Sequence, residues 1–263
     1  MKAVFIVLGA AALAFLALPV VAIFARVPPT TLVRELGDPV ARDALVVSLR
    51  TNALAQLLVL GLGTPTAYLL ATRRFAGRSV LLTLVELPLV LPPAVAGIGL
   101  IAAFGRTGLF STSIAFTQTA VVLAVAFVAA PFYVRTGVAA FEAVDPTLID
   151  AARTLGARPW RVFARVALPL AAGGLGAGLA LSFARGLGEF GATIMFAGSL
   201  QKVTQTLPLA IYAEFEINFD VTLAISALLV LISTALLISL KLASLWQPSQ
   251  QSSRSLFARL SWS

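Results

Sequence analysis

The chain has 263 residues, 59% hydrophobic and only 11% charged, with a mean hydropathy of +0.98. That balance excludes a soluble globular domain and indicates a polytopic helical membrane protein. Cysteine and histidine are both absent, which excludes disulfides, thiol chemistry and the commonest metal ligand and general base, so a carrier or scaffold without metal or cofactor is expected.

The formal charge of +8 lies in short loops beside apolar runs, so its counterpart is membrane lipid and not nucleic acid. Behind Lys2, residues 3–25 form a run of 23 uncharged residues. The run exceeds a signal-peptide core and lacks a small-x-small cleavage site, so an uncleaved first span is expected. Residues 26–50 are mixed in charge, contain Pro28-Pro29, and suit an exposed external segment. Residues 51–72 give a second span of 22 uncharged residues, followed by a basic turn with Arg73, Arg74 and Arg78.

The run 79–105 is interrupted by Glu86, Pro88, Pro92 and Pro93. Prolines free backbone groups that neighbours or water must satisfy, so a broken helix lining a cavity is expected here. Glu86 lies about 12 Å along the helix from Arg78, near enough to the inner interface to pair with a basic residue. Residues 107–134, 28 uncharged in a row, supply a short external loop and a fourth span ending near Pro131 and Arg135.

A charged segment follows. Asp145 is a good N-cap, and Pro146 occupies the first helical position, where its missing N–H costs nothing. Leu148, Ala151, Ala152 and Leu155 then recur at helical spacing as one apolar stripe, and Gly156 is the natural stop. The stripe lies outside the hydrocarbon, so something other than lipid must cover it. Residues 166–184 give a fifth span whose Gly173, Gly174, Gly176 and Gly178 allow close helix packing in the interior. The apolar stretches 190–201 and 203–213 hold 12 and 11 residues, too short for a core about 30 Å thick, so re-entrant structure is expected over 185–220. Residues 221–240 form a sixth span, and a polar cytoplasmic tail follows. Six spans place both termini on one side, which carries twelve Lys and Arg against seven opposite. That side is therefore expected to be the cytoplasm.

Asp150-Ala151-Ala152, Gly156 four residues on, and Leu168-Pro169 resemble the Glu-Ala-Ala loop of ABC importer permeases, with Asp in place of the first Glu. The resemblance spans residues 41–242 and leaves 1–40 as first helix and external segment and 243–263 as tail. It implies an all-α polytopic fold of about six transmembrane helices, like that of type I importer permeases, in the cell inner membrane. In such permeases this loop is the coupling helix that enters a cleft on a cytoplasmic ATPase. The resemblance therefore assigns ATPase coupling to Asp145, Leu148, Asp150, Ala151, Ala152, Leu155 and Gly156.

Within the importers, the stretches LPLVLPPAVAGIGLIAAFG (87–105), RGLGEFGATIMFAGS (185–199) and TQTLPLAIYAE (204–214) are most similar to molybdate permeases. Sulfate and thiosulfate permeases have segments like Gly188-Glu189-Phe190-Gly191. The resemblance implies a pathway or gate at Pro92, Pro93, Gly97, Gly188, Glu189, Phe190 and Gly191. It further implies an ATPase dimer, an external substrate-binding protein, a second copy of the chain, and molybdate, tungstate or sulfate as cargo. The chain has no phosphate-cradling Gly-x-x-x-x-Gly-Lys-Ser/Thr loop, so ATP hydrolysis falls to a partner. A proton- or sodium-coupled transporter, with only Glu86 and Glu189 as ionisable candidates, and a structural scaffold are the alternatives. A carboxylate facing a dianion repels it, so Glu189 is expected to pair with Arg185, one turn away, and not to bind the ion.

Overall fold

The computed structural model describes residues 1–111 and 114–245; the tail expected over 243–263 lies outside them from residue 246 onward. Regular structure in the described residues is entirely helical. Among the described residues five helices are long and apolar enough to cross a membrane, or six if a bent pair is counted as one span. The protein is thus an all-α polytopic membrane protein.

The first helix, α1 (Lys2–Arg26), is exposed along its length, as suits a helix facing lipid. Residues 26–50, expected as an external segment, are largely helical. They form a short helix, α2 (Pro29–Glu35), and the first three turns of α3 (Pro39–Thr72). The start of α3 is fixed by Asp38, whose carboxylate accepts the Val40 N–H at 2.7 Å, and by Pro39 at the first helical position. Arg42, Asp43 and Arg50 interrupt the apolar run without ending the helix, because they lie on its outer sides while Ala41, Ala44, Val47 and Ser48 are buried. A boundary between residues 40 and 41 therefore falls within the first turn of α3.

The bent pair is α4 (Arg78–Val90) followed by α5 (Pro93–Phe104), which meet at 115°. Pro92 and Pro93 impose the break, since neither donates a backbone N–H. The pair α4–α5, with α3 and α6, lines an open cleft of about 400 Å³. Helix α6 (Gln118–Glu142) runs on past Pro131 and Arg135, so the helix extends beyond the end of the uncharged run. Arg135 stays at the surface and Nε pairs with Glu86 Oε1 at 3.3 Å, while Arg78 pairs with Glu142 at 2.8 Å. Glu86 thus meets a basic partner.

The charged segment contains α7 (Pro146–Thr154) and α8 (Pro159–Val162), and α8 continues through a π turn (Phe163–Ala167) into α9 (Leu168–Leu187). In the π turn the Leu168 N–H reaches back five residues to Phe163 O. The wider turn accommodates Pro169, whose ring and missing N–H disfavour a regular α-helical turn there. Gly174 and Gly178 pack α9 closely on α6: an added Cβ would lie 2.5 Å from Ala140 Cβ and 3.0 Å from Thr136 Cβ. Gly173 and Gly176 are exposed, so only one face of the glycine-rich stretch serves close packing.

Helices α3, α6 and α9 form the central layer. Two short helices follow, α10 (Gly191–Ala197) and α11 (Leu207–Glu214), of seven and eight residues. Both have buried faces, and neither is long enough to cross a membrane. A smaller core joins Leu207 and Ala210 of α11 to Ala41 and Ala44 of α3 and to Val221 and Ile225 of the last helix, α12 (Phe219–Leu245).

Candidate functional site

The candidate residues fall into two groups. The first is α7. Asp145 Oδ1 accepts the Thr147 backbone N–H at 2.9 Å and its hydroxyl at 2.8 Å, which closes the helix start. At the other end the Gly156 N–H bonds to Arg153 O at 2.9 Å and the Ala157 N–H to Ala152 O at 3.0 Å. Those two bonds and the φ of +80° at Gly156 form a Schellman stop. Asp150 pairs with Arg153 at 3.2 Å on the surface.

On α7, Leu148 (47% exposed), Ala151 and Leu155 (88% exposed) lie at the surface. Ala152 is half-buried, on the side where Ile149 packs against the main core. Of the predicted stripe, three residues thus present an outward apolar face, while Ala152 belongs to the side turned toward the chain. Ile149 went unrecognised because it lies one position off the strongest helical spacing. Beneath α7, Tyr68 of α3, Phe141 of α6 and Phe163 of the π turn meet edge-on, with centroid distances of 5.2 Å (Tyr68–Phe141) and 4.8 Å (Tyr68–Phe163). Exposed Trp160 lies 5.3 Å from Phe163. The charged segment therefore rests on an aromatic cluster shared by two central spans, built from rings far apart in the sequence.

The second group is the contact between the α4–α5 break and α10. At Gly191 an added Cβ would lie 2.7 Å from Pro93 Cβ; at Gly97 it would lie 2.7 Å from both Ala192 O and Met195 Cβ. Two broken segments thus meet nearly backbone to backbone. Glu189, only 2% exposed, uses both carboxylate oxygens: Oε1 accepts the Ala192 N–H at 2.8 Å and Oε2 forms an ion pair with Arg185 Nη2 at 2.7 Å. It ties the end of α9 to the first turn of α10. Phe190 packs on Tyr212 with ring centroids 5.4 Å apart. Pro92 and Gly188 are exposed and stand outside the tight contact.

Nearby, the sequence gave no warning of a buried amide pair on α3. Asn52 donates to Phe183 O at 3.0 Å, and Gln56 donates to Asn52 Oδ1 at 3.2 Å. Gly186 leaves room for Asn52 Oδ1, which would lie 2.5 Å from a Cβ there. The two amides were hidden in an uncharged run, where only charge and proline stood out.

The family model described as binding-protein-dependent transport system inner membrane component matches residues 63–246. The chain is 45% identical over 234 residues to the molybdenum transport system permease protein ModB of Mycobacterium tuberculosis, covering 85% of this chain and 87% of the relative. With the protein of the same name from Escherichia coli K12 it shares 42% identity over 189 residues, 69% of this chain and 82% of the relative. Among solved structures, a bacterial alginate ABC transporter in complex with an alginate pentasaccharide-bound periplasmic protein superposes with a TM-score of 0.67 at 16% identity, over 92% of this chain and 91% of that one. At that identity the likeness establishes the shared fold.

Proposed function

The chain belongs to the binding-protein-dependent transport inner-membrane components, and from that membership we propose that it is the permease subunit of an ATP-driven importer of molybdate. Two copies enclose the pathway, a separate ATPase dimer hydrolyses ATP on the cytoplasmic side, and an external binding protein delivers the oxyanion. Both termini lie in the cytoplasm. The observation that carries this reading is α7: a short, doubly capped helix outside the spans whose Leu148 and Leu155 stay 47% and 88% exposed among the described residues. A cleft on an ATPase offers that outward apolar face a partner.

Motion of the ATPase pair displaces α7. The displacement reaches the spans through Phe163, Tyr68 and Phe141, which pack α7's own segment against α3 and α6. At the far end of α9, the Arg185–Glu189 pair and the Ala192 N–H link this helix to α10, so movement of α9 carries α10 against the α5 break. The passage offers the dianion broken-helix backbone at 87–97 and 186–198. Glu189 is already engaged by Arg185 and by a backbone N–H, so its charge is compensated locally and not presented to the ion.

The test of cargo is a competition assay. Proteoliposomes containing the whole transporter take up labelled molybdate against unlabelled molybdate, tungstate or sulfate. Molybdate and tungstate are expected to compete strongly and sulfate weakly. Preferential competition by sulfate assigns the permease to sulfate transport and overturns the molybdate reading.

A further inference from the structure

The cavity between α3, α4–α5 and α6 is unsuited to an oxyanion. Leu62, Leu84, Pro88, Leu100, Phe127 and Ala130 are among its walls, and among the described residues Thr66 is the sole polar side chain in its lining. The Thr66 hydroxyl already donates to Leu62 O at 2.7 Å. A water or an ion needs two or more polar partners, whereas an apolar cavity stays dry or takes an apolar guest. Its volume of about 400 Å³ is that of a ligand site.

The shape and the rim specify the guest. Along α6 the lining runs from Leu123 to Val134, about 16 Å at 1.5 Å per residue. One leaflet of the hydrocarbon core is about 15 Å deep. At the α7 end of that lining, Arg135 follows Val134 directly, and its Nε pairs with Glu86 Oε1 at 3.3 Å. Both side chains are about half exposed, at 59% and 45%, and half-exposed pairs exchange partners at little cost. A guanidinium beside a carboxylate complements a headgroup that carries a phosphate and an ammonium.

We propose that this cavity holds one acyl chain of phosphatidylethanolamine from the leaflet on the α7 side, with the phosphate on Arg135 and the ammonium on Glu86. The site does not depend on which ion is transported. Pro88 and Pro131 shape it, since both lie within helices and both line it.

The test is native mass spectrometry of the detergent-purified full chain with palmitoyl-oleoyl phosphatidylethanolamine, the matching phosphatidylglycerol, or the chain-free headgroup glycerophosphoethanolamine. Phosphatidylethanolamine should be retained in preference to the other two. Ala130→Leu and Leu100→Phe, which fill the cavity from different helices, should each lower retention by roughly tenfold, the scale of one or two methylene contacts in an apolar pocket. Glu86→Gln leaves the cavity intact and should abolish the preference over phosphatidylglycerol, so the proposal is tested even if a filling variant fails to fold. Equal retention in wild type and a folded filling variant, binding of the bare headgroup as strong as that of the lipid, an unchanged preference in Glu86→Gln, or no retained lipid at all would each overturn it.

Discussion

At the residue scale, Gly156 and Glu189 make separable demands. Nothing lies within 4 Å of a Cβ built at Gly156, so its requirement is purely conformational, set by the φ of +80°. Gly156→Val should cost about 1–2 kcal/mol in local backbone strain and fray the end of α7. Asn, which tolerates the left-handed region, should restore most of the loss. The expected readout is a fall in transport-linked ATP hydrolysis for Val and near-normal hydrolysis for Asn, at equal membrane expression. If Val and Asn behave alike, the cap has no part in coupling. Glu189 differs because its role is chemical. Glu189→Gln keeps the shape but removes the charge that pairs with Arg185. Less assembled transporter, or defective gating, is expected with the order of molybdate, tungstate and sulfate unchanged. A changed order in assembled, coupled protein would place the carboxylate at the ion.

At the element scale, the decisive contact is α5 on α10. Gly97→Val inserts side-chain atoms where Ala192 O and Met195 Cβ would stand 2.7 Å from the first added carbon. Overpacking of that kind costs about 1–3 kcal/mol. Uptake is expected to fall sharply while the ATPase subunit still co-purifies, because α7 is untouched; normal uptake would separate this contact from the gate.

The breaks themselves were legible in the sequence: Pro92-Pro93 and the glycines of 186–198 announce interrupted helices, and Asp145, Pro146 and Gly156 mark both ends of α7. Other features were not legible, for definable reasons. The start of α3 was obscured because Arg42, Asp43 and Arg50 break hydropathy without breaking helical geometry. The pairing of Gly97 with Ala192 and of Gly191 with Pro93 joins segments about a hundred residues apart, and nothing local encodes it. The Tyr68–Phe141–Phe163 cluster escaped notice for the same reason, since single aromatics in apolar runs carry no signature of a partner.

At the scale of the whole molecule, orientation and coupling stand together. The native chain has no cysteine, so single cysteines report cleanly. Ala76→Cys and Ala157→Cys are expected to react only with reagent supplied from the cytoplasm, and Gly37→Cys only from outside; external labelling at 157 would reverse the topology and remove α7 from the ATPase. The central claim is that an ATPase docked on the outward face of α7 drives oxyanion import. Its most direct measurement is accumulation of labelled molybdate in proteoliposomes that hold this chain with its ATPase and binding protein, comparing wild type with Leu155→Glu. That substitution places a charge on the most exposed apolar side chain of α7, 88% exposed, where the chain's own fold has little to lose. The account predicts ATP-dependent accumulation in wild type and its loss in Leu155→Glu, with insertion and dimerisation intact. Accumulation driven by a proton or sodium gradient without ATP, or full ATP-driven uptake by Leu155→Glu, would contradict it.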